Sequence, residues 1–191
     1  MVGSTGKVYA FEPNLNAYAS TCGLMSNYIS IPMAVSEVDG PVEFQLNQFD
    51  DCSSLLPPND AGVELYSREG IFPTSNLTFR RRKSTNEFKV IKKLFVPSIR
   101  LDTFMEVFHI GTVDFLKVDA QGADLAVVRS AGNRLEDIQR ITLETSSSEV
   151  SLYEGGTTAS NAVDYLNSRG FRLVSSTFVH SFEKDLTFAR F

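Results

Sequence analysis

Strand-like apolar runs alternate with helix-like stripes along most of this chain, and no other feature constrains its fold as strongly. Residues 113–118 form an apolar run of strand length. Beyond it, apolar residues recur at a spacing that places them on one helical face; they are Ala123, Val127, Val128, Ala131 and Leu135. Such alternation predicts an α/β fold, in which helices cover a doubly wound, largely parallel sheet.

The apolar runs predict six main strands, which we expect to form one sheet; they cover residues 7–11, 30–35, 113–118, 138–144, 171–176 and 186–190. A short polar segment separates the last two, which predicts a hairpin and hence an antiparallel C-terminal strand. A helix is predicted after Asn14, its N-cap, and another is predicted to end at Gly170.

A loop-rich insertion is predicted at about 50–87, where Ser, Pro, Gly and Asn cluster and prolines interrupt any regular element. Long irregular segments inside compact domains are often functional, so we expect this one to act as a lid over a ligand site. A length of 191 residues fits one domain, and we predict a single domain over residues 1–191.

The composition of the chain bears on its cellular location and on whether it binds a metal. Hydrophobic residues make up 42% of the chain, but no run approaches the roughly 20 residues that span a bilayer, and the N-terminal residues lack a secretory apolar segment. We therefore expect a cytoplasmic protein without a membrane partner. Cys22 and Cys52 have no CxxC spacing, and His109 and His180 lie far apart, so no metal site is predicted.

The charge is unevenly distributed. The net charge is −5, yet residues 80–93 hold seven basic residues and only one acidic residue. An acidic protein is not expected to bind nucleic acid. The basic stretch is interpreted as a solvated loop and strand, with an anion-binding patch as the alternative.

Acidic residues close three of the predicted strands: Glu12, Asp119 and Glu144. Ligands of open α/β sheets bind beyond the carboxyl ends of the strands, so these side chains are expected at one site. A carboxylate in the position of Glu12 can accept hydrogen bonds from both hydroxyls of a ribose. This indicates a nucleotide-containing cofactor, which on this ground alone could be a nicotinamide dinucleotide.

Three segments and the ending GFRL (170–173) carry a close family resemblance. The segments are GKVYAFEPN (6–14), VDFLKVDAQGADLAVVRSAG (113–132) and ITLET (141–145). They resemble the FkbM-type methyltransferases over nearly the whole chain apart from the insertion. The resemblance implies the Rossmann-like class I methyltransferase fold, with an antiparallel C-terminal strand, and S-adenosylmethionine as cofactor.

The resemblance also implies roles for individual residues. Glu12 would hold the cofactor ribose, Ala34, Val35 and Ser36 would lie near the adenine, and Asp119 would face the methyl group. Pro13, Asn14 and Gln121 complete the expected cofactor contacts. Removal of a proton from a hydroxyl acceptor needs a base, for which Asp119 is the first candidate and Glu144 the second.

Two departures from the family pattern carry expectations of their own. Asp124 stands where the family usually has Glu, which shortens the reach of that carboxylate. In the family, a strand and a Gly-rich D-x-G-A-N-x-G loop precede the segment that matches GKVYAFEP, but here six residues precede Lys7. We therefore expect an N-terminally incomplete domain that binds the cofactor weakly.

The predicted function is S-adenosylmethionine-dependent O-methylation of a hydroxyl on a small molecule or glycan. Two alternatives stay open: an NAD-dependent dehydrogenase, and a non-catalytic binding module that holds an acidic partner through residues 80–93. The methyl acceptor and the oligomeric state do not follow from the sequence.

Overall fold

The computed structural model describes residues 6–23, 26–68, 84–179 and 182–191, and its mixed α/β fold contains three sheets over these ranges. The first sheet pairs β1 (Val8–Phe11) with β2 (Tyr28–Ile31) in parallel, through helix α1 (Leu15–Thr21). Asn14 is the N-cap of α1, since its side-chain oxygen accepts from the Asn16 N–H at 3.1 Å. The predicted strand–helix unit at this end of the chain is confirmed.

The second sheet contains β3 (Ala34–Val35), β4 (Gly40–Asn47) and β5 (Val90–Ile99), with β5 in the middle. The predicted strand over 30–35 is wrong as a single element, because its two ends pair in different sheets. Pro32 lies between them and has no N–H for a ladder bond. The backbone N–H of Met33 donates to the Ile31 carbonyl oxygen at 2.9 Å and not to a neighbouring strand, so β2 ends there.

The third sheet is formed by β6 (Leu116–Val118), β7 (Arg140–Ser146), β8 (Arg172–Phe178) and β9 (Glu183–Ala189), in the order β6-β7-β9-β8. Strands β6 and β7 are parallel, whereas β9 is antiparallel to both of its neighbours. The predicted terminal hairpin and its antiparallel strand are thus confirmed.

Helices α3 (Leu101–Val107), α4 (Asp124–Arg129) and α5 (Ala159–Ser168) accompany the third sheet. The stripe predicted from Ala123 to Leu135 is not one helix, since α4 gives way to a 3-10 helix over Gly132–Asp137. Its apolar members nevertheless reach the main core, where Val128, Ala131 and Leu135 are fully buried. The helical spacing of these apolar residues therefore predicted correctly which of them are buried, but it predicted too long a helix.

The prediction that all six strands form one sheet is wrong. Strands β1 and β6 do not pair with each other in the described part of the chain, and each has a strand partner on one edge only. Aromatic packing supports β1 instead: the Tyr9 and Phe11 rings lie 5.3 and 4.8 Å from the ring of Phe104 on α3. Contacts between aromatic side chains, and not backbone hydrogen bonds between strands, thus hold the first sheet against α3.

The insertion at 50–87 is more regular than its composition predicts. It includes α2 (Asp60–Arg68) and 3-10 helices over Asp50–Cys52 and Thr85–Phe88, while residues 69–83 lie outside the described ranges. Asn59 begins α2, because its side-chain oxygen accepts from the Ala61 N–H. Prolines just before a helix are compatible with its start, so Pro57-Pro58 do not exclude α2.

A second core fixes the insertion against the segment that follows β7. Its buried members are Cys52, Val63 and Phe88 from the insertion and its border, Leu152 and Tyr153 from the segment after β7, and Phe182 from the connection between β8 and β9. Gly62 of α2 lies so close to this segment that a Cβ there would stand 2.1 Å from the Ser151 carbonyl oxygen. Only a glycine permits this approach of α2.

We therefore expect Gly62→Ala to destabilise the protein by about 1–3 kcal/mol, because the new methyl group must displace backbone. The control is Gly111→Ala, where a Cβ would meet nothing within 4 Å. Urea unfolding measures both changes. A Gly62→Ala protein as stable as the Gly111→Ala protein would contradict the packing of α2 on residue 151.

Candidate functional site

The turn that follows β6 carries the first candidate residues, Asp119 and Gln121. Asp124, only 1% exposed, accepts hydrogen bonds from the backbone N–H groups of Ala120 at 3.3 Å and Gly122 at 3.2 Å. The turn places Gln121 at φ 49° and Gly122 at φ 91°, in the left-handed region. An aspartate at position 124 is therefore long enough to close its own turn.

A cavity of about 300 Å³ opens beside this turn. One wall comes from the third sheet and the turn, with Asp119, Gln121, Glu144 and Glu183. The facing wall comes from the segment before β5 and from the insertion; it consists of Phe49, Asp51, Cys52, Tyr66, Glu87 and Phe88, with Leu152 between the walls. The structure thus brings Asp119, Gln121 and Glu144 together at one cavity, whereas Glu12, Pro13 and Asn14, which were expected at the same site, do not line it.

Glu144 lies on β7 and is 9% exposed. Burial, followed by the nearby charges of Glu183, Asp119 and Asp124, raises the pKa of its carboxyl to about 9. Burial likewise raises the pKa of Asp124 to about 7, against the effect of its backbone hydrogen bonds. At neutral pH Glu144 is therefore a protonated acid, able to donate a hydrogen bond into the cavity.

Asp119 is more exposed than Glu144 and has two polar partners. The Gln121 side-chain amide donates to Asp119 Oδ1 at 3.0 Å, and the Lys117 ammonium lies 3.5 Å from Oδ2. Both contacts hold the Asp119 side chain at the cavity. Because burial raises the pKa of Glu144 to about 9, Asp119 suits the role of proton acceptor better than Glu144.

Glu12 closes β1, where its Oε1 accepts from the Asn14 N–H at 2.7 Å. Burial raises the pKa of Glu12 against that hydrogen bond, and the charges of Asp50 and Asp51 raise it further. Of these three acids, Asp51 lines the cavity and Glu12 does not. Pro13 and Asn14 form the turn between Glu12 and α1.

Of the three residues expected near the adenine, Ala34 and Val35 form β3 of the second sheet, and Ser36 directly follows it. Ala34 is buried in the small core of that sheet, and Val35 pairs with Ile99 of β5. The Ser36 hydroxyl is 2.7 Å from the Ser98 hydroxyl and also donates to the Val38 carbonyl oxygen. Neither Ala34, Val35 nor Ser36 lines the cavity beside Asp119.

The insertion side of the cavity was not predicted residue by residue. Asp51, Tyr66 and Glu87 come from segments whose composition indicated only a loop, and no motif distinguishes them. Glu183 begins β9 opposite Ser146, and its place at the start of a strand gives no functional signal. From the sequence, the insertion is expected only to cover a ligand site, without naming residues. In the structure, its described residues line the cavity.

Two other predictions concern features beyond the cavity. Residues 80–83 of the basic stretch and His180 lie outside the described ranges. Within those ranges, no helix is long and apolar enough to cross a membrane.

Together, the parallel β6-β7 pair, the turn at its carboxyl end and the acid-lined cavity define an α/β protein with a cavity at the strand ends, where proteins of this class bind their ligands. The family model for the methyltransferase FkbM domain matches residues 1–173. The chain therefore belongs to the FkbM methyltransferase family. Comparisons with curated proteins and with solved structures gave no significant match.

The raised pKa of Glu144 predicts how stability depends on pH. Between its unfolded value near 4.5 and its folded value of about 9, the folded protein retains a proton that the unfolded chain releases. The free energy of unfolding therefore falls as pH rises through this window, by at most about 1.4 kcal/mol per pH unit. Above about pH 7 the contribution of Asp124 is complete, so Glu144 is the carboxyl group expected to change stability there.

Glu144→Gln is neutral at every pH and should flatten the stability curve between about pH 7 and pH 9. Urea unfolding at several pH values measures the slope. Glu154→Gln, which removes an exposed carboxylate outside the cavity, is the control and should keep the slope of the unmodified protein. Equal slopes in all three proteins would contradict a protonated Glu144.

Proposed function

We propose that the protein is an S-adenosylmethionine-dependent methyltransferase that methylates a hydroxyl group on a small molecule or glycan. The observation that carries the proposal is the cavity at the ends of β6 and β7, where Asp119, Gln121 and Glu144 share one wall. Membership of the FkbM family supplies the reaction class. A volume of about 300 Å³ lies at the lower end of the range of small-molecule sites.

The residues present fit this cofactor. When bound, S-adenosylmethionine supplies an electrophilic methyl group on a cationic sulfonium, and the carboxyl groups that line the cavity suit a positive charge. Glu12 offers a ribose contact, since only its Oε1 has a hydrogen-bond partner among the described residues. Its Oε2 is then available to accept from a hydroxyl.

Asp119 is proposed as the base and Glu144 as a neutral hydrogen-bond donor. Asp119 would take the proton of the acceptor hydroxyl, whose oxygen would receive the methyl group that the bound cofactor supplies. Glu144, with its pKa of about 9, would not accept that proton at neutral pH and would instead donate a hydrogen bond that orients the acceptor. The residues that line the cavity would hold the acceptor close to Asp119, and such positioning lowers the barrier of a reaction between two molecules.

The proposal includes the class I arrangement, in which a further strand lies between β1 and β6. Each of these strands has one edge without a strand partner in the described part of the chain. A parallel strand there would join the first and third sheets, and the Gly-rich loop after it would bring backbone N–H groups to the cofactor carboxylate.

Glu12→Ala should abolish saturable binding of S-adenosylmethionine, measured by calorimetry. Glu12→Gln keeps an acceptor for the Asn14 N–H but loses the negative charge, and should bind roughly ten- to a hundredfold more weakly than the unmodified protein. Titration with NAD tests the dehydrogenase alternative. Saturable binding of NAD in place of S-adenosylmethionine would overturn the proposal.

A second prediction concerns the unpaired edges of β1 and β6. Loss of two charge-assisted hydrogen bonds from a Gly-rich loop costs about 3–6 kcal/mol, or roughly two to four orders of magnitude in affinity. We expect the 191-residue chain to bind S-adenosylmethionine weakly. A version extended at its N-terminus by a strand, a D-x-G-A-N-x-G loop and a helix should bind it well.

Calorimetry on the two proteins checks this difference. A matched extension in which the loop glycines are replaced by valine should restore little affinity, because the backbone N–H groups can no longer approach the ligand. Low-micromolar binding by the 191-residue chain would show that another segment supplies those contacts.

A further inference from the structure

The hydroxyl group of Tyr153 lies between two acceptors. Tyr153 is 1% exposed, and its oxygen is 2.9 Å from Gln121 Oε1 and 2.9 Å from the Cys52 carbonyl oxygen. A phenol has one proton to donate. The Cys52 carbonyl already accepts from the Asn47 side-chain amide at 2.6 Å, whereas Gln121 Oε1 has no other donor among the described residues. The phenol proton is therefore best placed on Gln121.

The Tyr153 hydroxyl and the Asp119 carboxylate together fix which way the Gln121 amide points. With Oε1 toward Tyr153, Nε2 faces Asp119 Oδ1 and donates to it at 3.0 Å. The reversed amide would set Oε1 against the carboxylate, so that two acceptors would face each other. Tyr153 holds the Oε1 end of the amide in the orientation in which Gln121 is a donor to Asp119.

The backbone of Gln121 is held from the insertion side as well. The Ser54 hydroxyl donates to the Gln121 carbonyl oxygen at 2.7 Å. The Tyr153 ring packs against Gly122 so closely that a Cβ there would lie 2.8 Å from it. The amide therefore lies on a fixed turn, and a change at its Oε1 end is transmitted to Asp119.

We propose that Tyr153 is a positioning residue that acts through Gln121 to hold the Asp119 carboxylate at the cavity. This rests on the proposed function, in which Asp119 serves the methyl transfer. Tyr153 reaches the turn from the segment that follows β7, at the boundary between the third sheet and the insertion. Its hydroxyl makes the position of Asp119 depend on the packing of the insertion.

The test combines Tyr153→Phe and Gln121→Ala, singly and together, in the 191-residue protein. Tyr165→Phe is the matched control, since it removes a hydroxyl from a half-buried tyrosine on α5 that does not line the cavity. Two measurements are made on each protein: a crystal structure without ligand, and the affinity for S-adenosylhomocysteine by NMR titration, which also reports weak binding.

In the ligand-free crystals, Tyr153→Phe should turn the Gln121 amide and lengthen its contact with Asp119 beyond about 3.5 Å, the limit of a hydrogen bond. Tyr165→Phe should leave it at about 3 Å. An unchanged contact in Tyr153→Phe would overturn the proposal. This comparison needs no ligand, so it tests the positioning role independently of the proposed function. Failure of the proposed function would show separately, as an absence of cofactor binding by the unmodified protein.

In the titration, Tyr153→Phe should weaken binding roughly three- to tenfold, as expected for one lost hydrogen bond. In the Gln121→Ala background the same change should alter the affinity less than about twofold, because the link is already broken. Independent, multiplying effects would show that Tyr153 acts by packing alone and would overturn the proposal.

Discussion

The buried carboxylate of Asp124 is the interaction on which the candidate site depends. It binds the backbone N–H groups of Ala120 and Gly122, and so closes the turn that directs Asp119 and Gln121 toward the cavity. Burial raises the pKa of Asp124 to about 7 despite these hydrogen bonds. Burial of a carboxyl group lowers the stability of the fold, but the hydrogen bonds of Asp124 hold the turn at the end of a parallel strand in one conformation.

The insertion completes the site from the other side. Its α2 helix packs on residues 151 and 152, and its 3-10 helices contribute Cys52 and Phe88 to the same core as Tyr153. The insertion residues that line the cavity are thus held in place by a hydrophobic core of their own. On the third-sheet side of the cavity, the charges of Glu183, Asp119 and Asp124 raise the pKa of Glu144 beyond what burial alone would give.

Local patterns predicted the elements and the strand-end acids, and tertiary contacts determined the rest. Asn14, an N-cap followed by helix-forming residues, was enough to place α1, and strand ends were enough to bring Asp119 and Glu144 together. Pro32 indicates a break, but the apolar residues on both sides of it also fit one strand, so the pattern predicts a single strand there. Tyr153 reaches Gln121, and Asp51 reaches the cavity, only through packing between distant segments, so no spacing in the sequence could identify them.

The central claim is that the cofactor occupies the region from the end of β1 to the cavity beside β6. An NMR titration of the 191-residue chain with S-adenosylhomocysteine tests it most directly, because resonance shifts locate even a weakly bound ligand. We expect the amide resonances of Glu12, Asn14, Gln121 and Gly122 to shift together along one saturation curve, while those of Lys93 and Phe95 on β5 stay unchanged. Shifts confined to β5, or a β1 end and a β6 turn that saturate independently, would contradict a single cofactor site.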